Sequence, residues 1–208
     1  AQFCESPLAE RCGITLEQEE PAEQTVLSVD EALLARLLEI IRRPPAGGNK
    51  YDYKNWALNV DGVTSAYVYP LRRGLGTVDI AVTSAGGVPS DDIVRAVQTY
   101  IDEMRPVTAK ESLVLKPSTT SVAVTAAVKL DGTDLAAATR AINAALAEYF
   151  GNLIPGDALV ASQIEAVISN VPGVVDRRLT APAASRAADV AGKIEWFRLG
   201  GVSITVAV

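Results

Sequence analysis

One short pattern constrains this chain more than any other, because it demands a particular backbone event and occurs twice. Asn59-Val60-x-Gly62-Val63 returns as Asn170-Val171-x-Gly173-Val174, a shift of 111 positions (59 to 170). Each copy sits where an apolar helical stripe gives way to a β-branched run. Glycine at that point fits the left-handed residue that closes many helices, where a Cβ is costly. The reading therefore predicts positive φ at both Gly62 and Gly173. The helix faces before the junctions agree as well, with Tyr53, Trp56 and Ala57 falling on Ile164, Val167 and Ile168. Each half reads as helix, helix, glycine-closed turn, strand, loop, strand. The expected class is α+β: two related halves, each a small, mainly antiparallel sheet with helices packed on one side. The expected limits are an irregular arm or linker over 1–27, a first half over 28–118 and a second over 119–208.

The elements are read from their periodicities. Ser28-Val29-Asp30-Glu31 forms a capping box, and Leu33, Leu34, Leu37, Leu38 and Ile41 follow as one helical stripe. Pro44-Pro45 stops that helix, and Gly47-Gly48 forms a flexible turn. A shorter helix carries Tyr53, Trp56, Ala57 and Val60. Strands are predicted at 63–70 and 77–83, joined by a turn through Arg72-Arg73-Gly74-Leu75-Gly76. In the second strand Val78, Ile80 and Val82 alternate with polar or small residues, so one buried face is expected. A helix over 90–104 follows, then strands near 112–116 and 121–130, helices over 134–150 and after Pro155-Gly156, and strands near 174–181 and 202–208. A loop through Pro182 to Gly192 separates the last two.

Composition narrows the chemistry. With 49% hydrophobic residues but only 5% aromatics, the core is aliphatic. A net charge of −6 gives no concentrated basic face for nucleic acid. The pairs Arg42-Arg43, Arg72-Arg73 and Arg177-Arg178 read as solvated charge at element ends. No run approaches the ~18 apolar residues of a spanning helix, so no membrane insertion is expected. There is no histidine, which excludes Ser-His-Asp and Cys-His catalysis and the common histidine metal sites. Cys4 and Cys12 can pair, but two cysteines without histidine make no zinc site. The chain begins Ala-Gln-Phe, which reads as processing, trimming or a part of something longer.

Each suggestive motif has a plainer explanation. Arg73-Gly74-Leu75-Gly76 lacks the following helix and third glycine of a phosphate loop, so a hairpin turn is expected. Asp91-Asp92 complements the dipole of a first helical turn. Trp56 is a core residue or an interface anchor, and its place on the apolar stripe favours core. Nothing converges on an active site, and no cofactor or metal is expected.

Residues 28–130 resemble the Baseplate J-like family of contractile-tail wedge subunits. The resemblance rests on Asp30-Glu31-Ala32-Leu33, Arg36-Leu37, Pro44-Pro45-x-Gly47-Gly48, Asp52-Tyr53, Trp56-Ala57 and Val60-x-Gly62-Val63. It continues through Ala66-x-Val68-x-Pro70, Gly74-x-Gly76, Arg105-Pro106 and Leu115-Lys116-Pro117. Gly156, Ser162-Gln163-Ile164 and Val171-x-Gly173-Val174 are similar to the family's C-terminal part. The resemblance implies a non-catalytic component of the virion tail baseplate, assembled in the bacterial host cytoplasm. Its implied partners are other wedge proteins and a second copy of itself, closing as a ring around the central hub and spike. The rival readings are a ring-forming module of a bacterial secretion or envelope complex and, third, an enzyme using carboxylates.

Overall fold

The computed structural model describes residues 34, 37–38, 41–85 and 87–207. The 28–31 capping box, the arm over 1–27 and both cysteines lie outside the described residues. The chain divides into two compact units at Pro44 and Pro45. In the first, Leu34, Leu37, Leu38 and Ile41 are helical and exposed.

The second unit holds four helices and two three-stranded sheets. Helix α1 (Lys50–Leu58) leads to β1 (Ser65–Pro70) and β2 (Thr77–Thr83), then α2 (Asp91–Met104) and β3 (Glu111–Leu115). Strand β4 (Ser118–Leu130) precedes α3 (Leu135–Asn152) and α4 (Ala161–Ser169), and β5 (Val174–Ala181) and β6 (Glu195–Val206) close the chain.

Local chemistry explains the helix limits. The Asn49 side chain accepts from the Tyr51 and Asp52 amides while Asp52 reaches back to the Asn49 amide, a reciprocal cap that starts α1. Ser90 caps α2 and Asp134 caps α3. Both junction glycines have positive φ, +87° at Gly62 and +88° at Gly173. Helices α1 and α4 are both nine residues long and lie at the same 111-residue offset (50 to 161) as those glycines.

The sheets share a plan but not a chain order. In the first, central β2 is antiparallel to β1 and parallel to β3. In the second, central β4 is antiparallel to β5 and parallel to β6. Both sheets are therefore mixed, where mainly antiparallel pairing was expected. The expected order of helix, glycine-closed turn, strand, loop and strand runs through both halves, as α1, β1, β2 and as α4, β5, β6, but the second strand is central in the first sheet and an edge in the second. The tight turn over 71–76 lets β1 and β2 pair as a hairpin, whereas the loop over 182–194 carries the chain past the start of β4 to its far side. The repeated object is thus a helix, a glycine and an edge strand.

Each sheet carries its own apolar core. In the first, Tyr53 and Ala57 of α1 and Val97 and Ile101 of α2 pack on Ala66, Ile80, Val82 and Val114. In the second, Ile142, Leu146 and Phe150 of α3 and Ile164 and Ile168 of α4 pack on Val124, Ala126, Val128 and Phe197. The four-residue spacing of Ala138, Ile142, Leu146 and Phe150, all buried, puts them along one face of α3.

Two expectations fail for the same reason. Strand β2 was expected to bury one face, yet Asp79, Ala81 and Thr83 are buried along with Ile80 and Val82. Strand β6 starts seven residues before its predicted position (195 against 202) because Glu195, Trp196 and Phe197 are all buried and show no alternation. Strands covered on both faces lose the period-2 signal. Gly200-Gly201 also hides β6, since the register shifts there opposite Val122 and Val124. A Cβ on Gly200 would lie 3.0 Å from the Val122 carbonyl oxygen.

Candidate functional site

What covers the second face of β2 is a polar joint between the two sheets. Tyr67 and Tyr69 of β1 stand opposite Ala81 and Asp79 on that face. The Asp79 carboxylate is fully buried and accepts from Arg72 Nε at 2.6 Å and from Arg73 Nε at 2.7 Å. Arg73 also pairs with Glu111 at 2.6 Å. Arg72 extends onward, donating to the carbonyls of Val190 at 3.4 Å and Ala191 at 3.2 Å. The Arg72-Arg73 pair was expected as solvated charge. Instead its side chains are only 12% and 27% exposed, because an acidic residue inside a sheet needs a cation beside it.

Glu195 anchors the other end of the same loop. It accepts from Thr120 Oγ1 at 2.6 Å and from the Asp189 amide at 3.1 Å, and it pairs with Arg186 and Lys193. The Thr120 bond, then the Asp189 amide, outweigh burial and hold its carboxyl below the usual range. Its own carbonyl accepts the Gly156 amide at 2.8 Å. The segment 153–157 is fixed at further points: Trp196 Nε1 donates to the Leu153 carbonyl at 2.7 Å, and the Tyr69 hydroxyl donates to the Pro155 carbonyl. Burial, followed by the nearby Asp157 charge, pushes the Tyr69 phenol well above its ordinary value.

A third hydrogen-bonded carboxylate lies where the chain enters this unit. Asp52 Oδ2 accepts from the amides of Gly48 at 2.7 Å, Ala46 at 3.1 Å and Asn49 at 3.1 Å. Burial works against its charge, yet the backbone bonds from Gly48, Asn49, Ala46 and Gly47 together leave its carboxyl below its ordinary value. Sequence reasoning missed this knot, although Asn-x-x-Asp after a Gly-Gly turn is a visible variant of the capping signal.

The residues singled out in the sequence do not come together. Gly47 has φ +74° in open space, while a Cβ on Gly48 would lie 2.6 Å from Pro106 Cγ. Gly74 and Gly76 lie in the β1–β2 hairpin turn, as expected for that motif. A Cβ on Gly62 would meet Ile93 Cδ1 at 2.9 Å, and one on Gly173 would meet Thr133 Cβ at 2.8 Å. Trp56 is half-buried, edge-to-face with Tyr53 at 5.0 Å. Asp91 pairs with Lys116 and Asp92 with Arg95. Among the described residues no three metal-ligating side chains cluster. Among the described residues the buried carboxylates Asp52, Asp79 and Glu195 are each bonded to amides, hydroxyls or cations, which fixes the segments around them.

The site thus defines an α+β protein whose two sheets are joined through buried charge pairs and backbone carbonyls. Residues 45–126 match the Baseplate J-like central domain, and residues 122–205 match the Baseplate J-like protein C-terminal domain. The chain belongs to the Baseplate J-like family. It is 33% identical over 182 residues to the Mu-like prophage FluMu protein gp47 of Haemophilus influenzae, covering 79% of this chain and 50% of that protein. It is 31% identical over 185 residues to baseplate protein gp47 of Escherichia phage Mu, with the same shares. The chain thus spans about half the length of these relatives. Its fold is also similar to a chain of the anti-feeding prophage (AFP) baseplate solved by cryo-EM, with a TM-score of 0.60 at 11% identity, covering 82% of this chain and 41% of that one.

Proposed function

We propose that this protein is a structural building block of the tail baseplate of a contractile phage or phage-like injection machine. In the wedge it assembles through protein–protein contacts into a ring around the central hub. The observation that carries the reading is the unbroken family match across both sheets, from residue 45 to residue 205. The Asp79–Arg72 and Glu195 joint supports it, because a subunit that passes force between neighbours needs its own parts fixed to one another. The role is non-catalytic, and the structural bonding of Asp52, Asp79 and Glu195 to amides, hydroxyls and cations supports that too. Its partners are other wedge proteins and a second copy of itself, with the hub and spike engaged indirectly. The wedge is put together in the host cytoplasm before the tail is complete. The two sheets with their helices act as two domains, divided near residue 118.

Cryo-EM of the parent tail tests this directly. Density for the chain in the baseplate is expected, and deletion of its gene is expected to leave tails without baseplates. Density elsewhere in the particle, or complete baseplates after deletion, defeats the proposal.

A further inference from the structure

A cleft of about 400 Å³ runs along the open edge of the first sheet. Its floor is four consecutive residues of β1, Ala66 to Tyr69, with Lys50, Tyr51 and Lys54 of α1 on one wall and Ile154 to Asp157 on the other. Consecutive strand residues point to opposite faces, so a cleft that touches all four follows the strand's edge. Strand β1 is an outer strand of the sheet, bonded to β2 on one side only. Unpaired amides and carbonyls along such an edge are a template for another extended chain.

The walls say what kind of chain fits. Lys50 and Lys54 lie one helical turn apart and so project to the same side of α1. Neither has a carboxylate partner among the described residues, and Lys50 lies over the Tyr51 ring at 5.0 Å. Several other cations of this unit do have carboxylate partners: Arg72 and Arg73 with Asp79, Arg186 and Lys193 with Glu195, Lys116 with Asp91. The opposite wall is held by the Tyr69–Pro155 bond and the Gly156–Glu195 bond, so the cleft is formed before anything enters. Asp157 turns Oδ2 back to the Ile154 amide at 3.1 Å. Tyrosine rings and the 41%-exposed Ile154 supply apolar contact between the charges.

We infer that this cleft binds an extended, carboxylate-bearing segment of another tail protein, which adds to the edge of β1 and places its acidic side chains against Lys50 and Lys54. The inference rests on the baseplate reading above and names one of its contacts. Single-stranded nucleic acid also stacks on tyrosines, but it needs a long basic track. Two lysines on a chain of net charge −6 do not provide one.

The test uses 15-residue peptides tiling every protein of the purified tail, with a ten-nucleotide oligo-dT as a competing probe. Binding to the full chain is read by fluorescence anisotropy. At least one peptide from another protein, bearing two or more carboxylates, is expected to bind and to slow amide exchange across Ala66–Tyr69. The pair Lys50→Glu and Lys54→Glu is expected to weaken it by about tenfold, and Tyr67→Ala by several-fold. At Lys50, in the first turn of α1, an acidic residue suits the dipole, Lys54 lies one turn further on, and an unchanged melting curve confirms the fold of the double variant. The inference is overturned if no peptide binds, if binding ignores the lysine changes, if β1 amides exchange as before, or if the oligonucleotide binds instead. A hit confined to this chain's own sequence overturns the choice of partner. Whether the chain sits in the baseplate is read separately by cryo-EM, so the two readings fail separately.

Discussion

Replacing each junction glycine by alanine separates two costs that the motif makes look identical. Both positions have nearly equal φ, +87° and +88°, so the left-handed backbone costs each variant about 1–2 kcal/mol. The surroundings differ. At Gly62 the new methyl meets Ile93 Cδ1 at 2.9 Å, the far end of a half-buried side chain that can turn aside. At Gly173 it meets Thr133 Cβ at 2.8 Å and the Asp131 carbonyl oxygen at 3.4 Å. That loop is tied to the glycine by the Asp131 amide bond to the Gly173 carbonyl at 3.0 Å, so it cannot retreat cheaply. Overpacking of this kind adds about 1–3 kcal/mol. Gly62→Ala is therefore expected to cost about 1–2 kcal/mol and Gly173→Ala about 2–5 kcal/mol. Urea unfolding followed through the two tryptophans, Trp56 beside the first core and Trp196 on β6, measures both. Adding Thr133→Gly to Gly173→Ala should return the overlap and leave the φ cost, a coupling of about 1–3 kcal/mol. If Gly62→Ala costs as much as Gly173→Ala, or the double variant shows no coupling, the reasoning is refuted.

Asp79→Asn strips the fully buried charge that Arg72 and Arg73 share, and a loss of about 3 kcal/mol in chemical denaturation is expected; a loss under about 1 kcal/mol would mean the arginines are held by other contacts. Stability should fall on acidification. Glu195 and Asp52 both have lowered values in the fold, so the unfolded chain takes up protons first. Their contribution is complete above the ordinary values of 4.5 and 3.8 and drains away as pH falls through the lower folded values. Glu195→Gln should flatten that slope, and a slope identical to wild type below pH 4.5 contradicts the assignment. Tyr69→Phe removes the hydroxyl bonded to the Pro155 carbonyl, with about 1 kcal/mol lost and faster amide exchange at Gly156; unchanged exchange there would show the segment is moored without it.

Local signals were legible wherever one residue's chemistry decided the outcome. Ser90 and Asp134 announce helix starts, Gly62 and Gly173 announce the turn into a strand, and Val124, Ala126 and Val128 announce a half-buried strand. From these the sequence alone determines the α+β class, the positions of the four helices, the two left-handed junctions and the family. The parts it hid share a physical cause. Arg72 and Arg73 read as solvated charge, Asp79 read as part of the open face of its strand and Glu195 carried no signal, because a carboxylate inside a sheet differs from a solvated one only by its neighbours. Several of those neighbours are remote in sequence: Val190 and Ala191 lie 118 and 119 positions from Arg72, and Thr120 lies 75 from Glu195. The unlike order of the two sheets was equally hidden, because the path of a loop around β4 is set by what it packs against. Tertiary structure alone decided that β2 and the start of β6 are covered on both faces. It also decided that an open edge beside Lys50 and Lys54 remains for a partner. Periodicity reports one buried face, while the joint between two sheets is made where a second face is buried by residues from far along the chain.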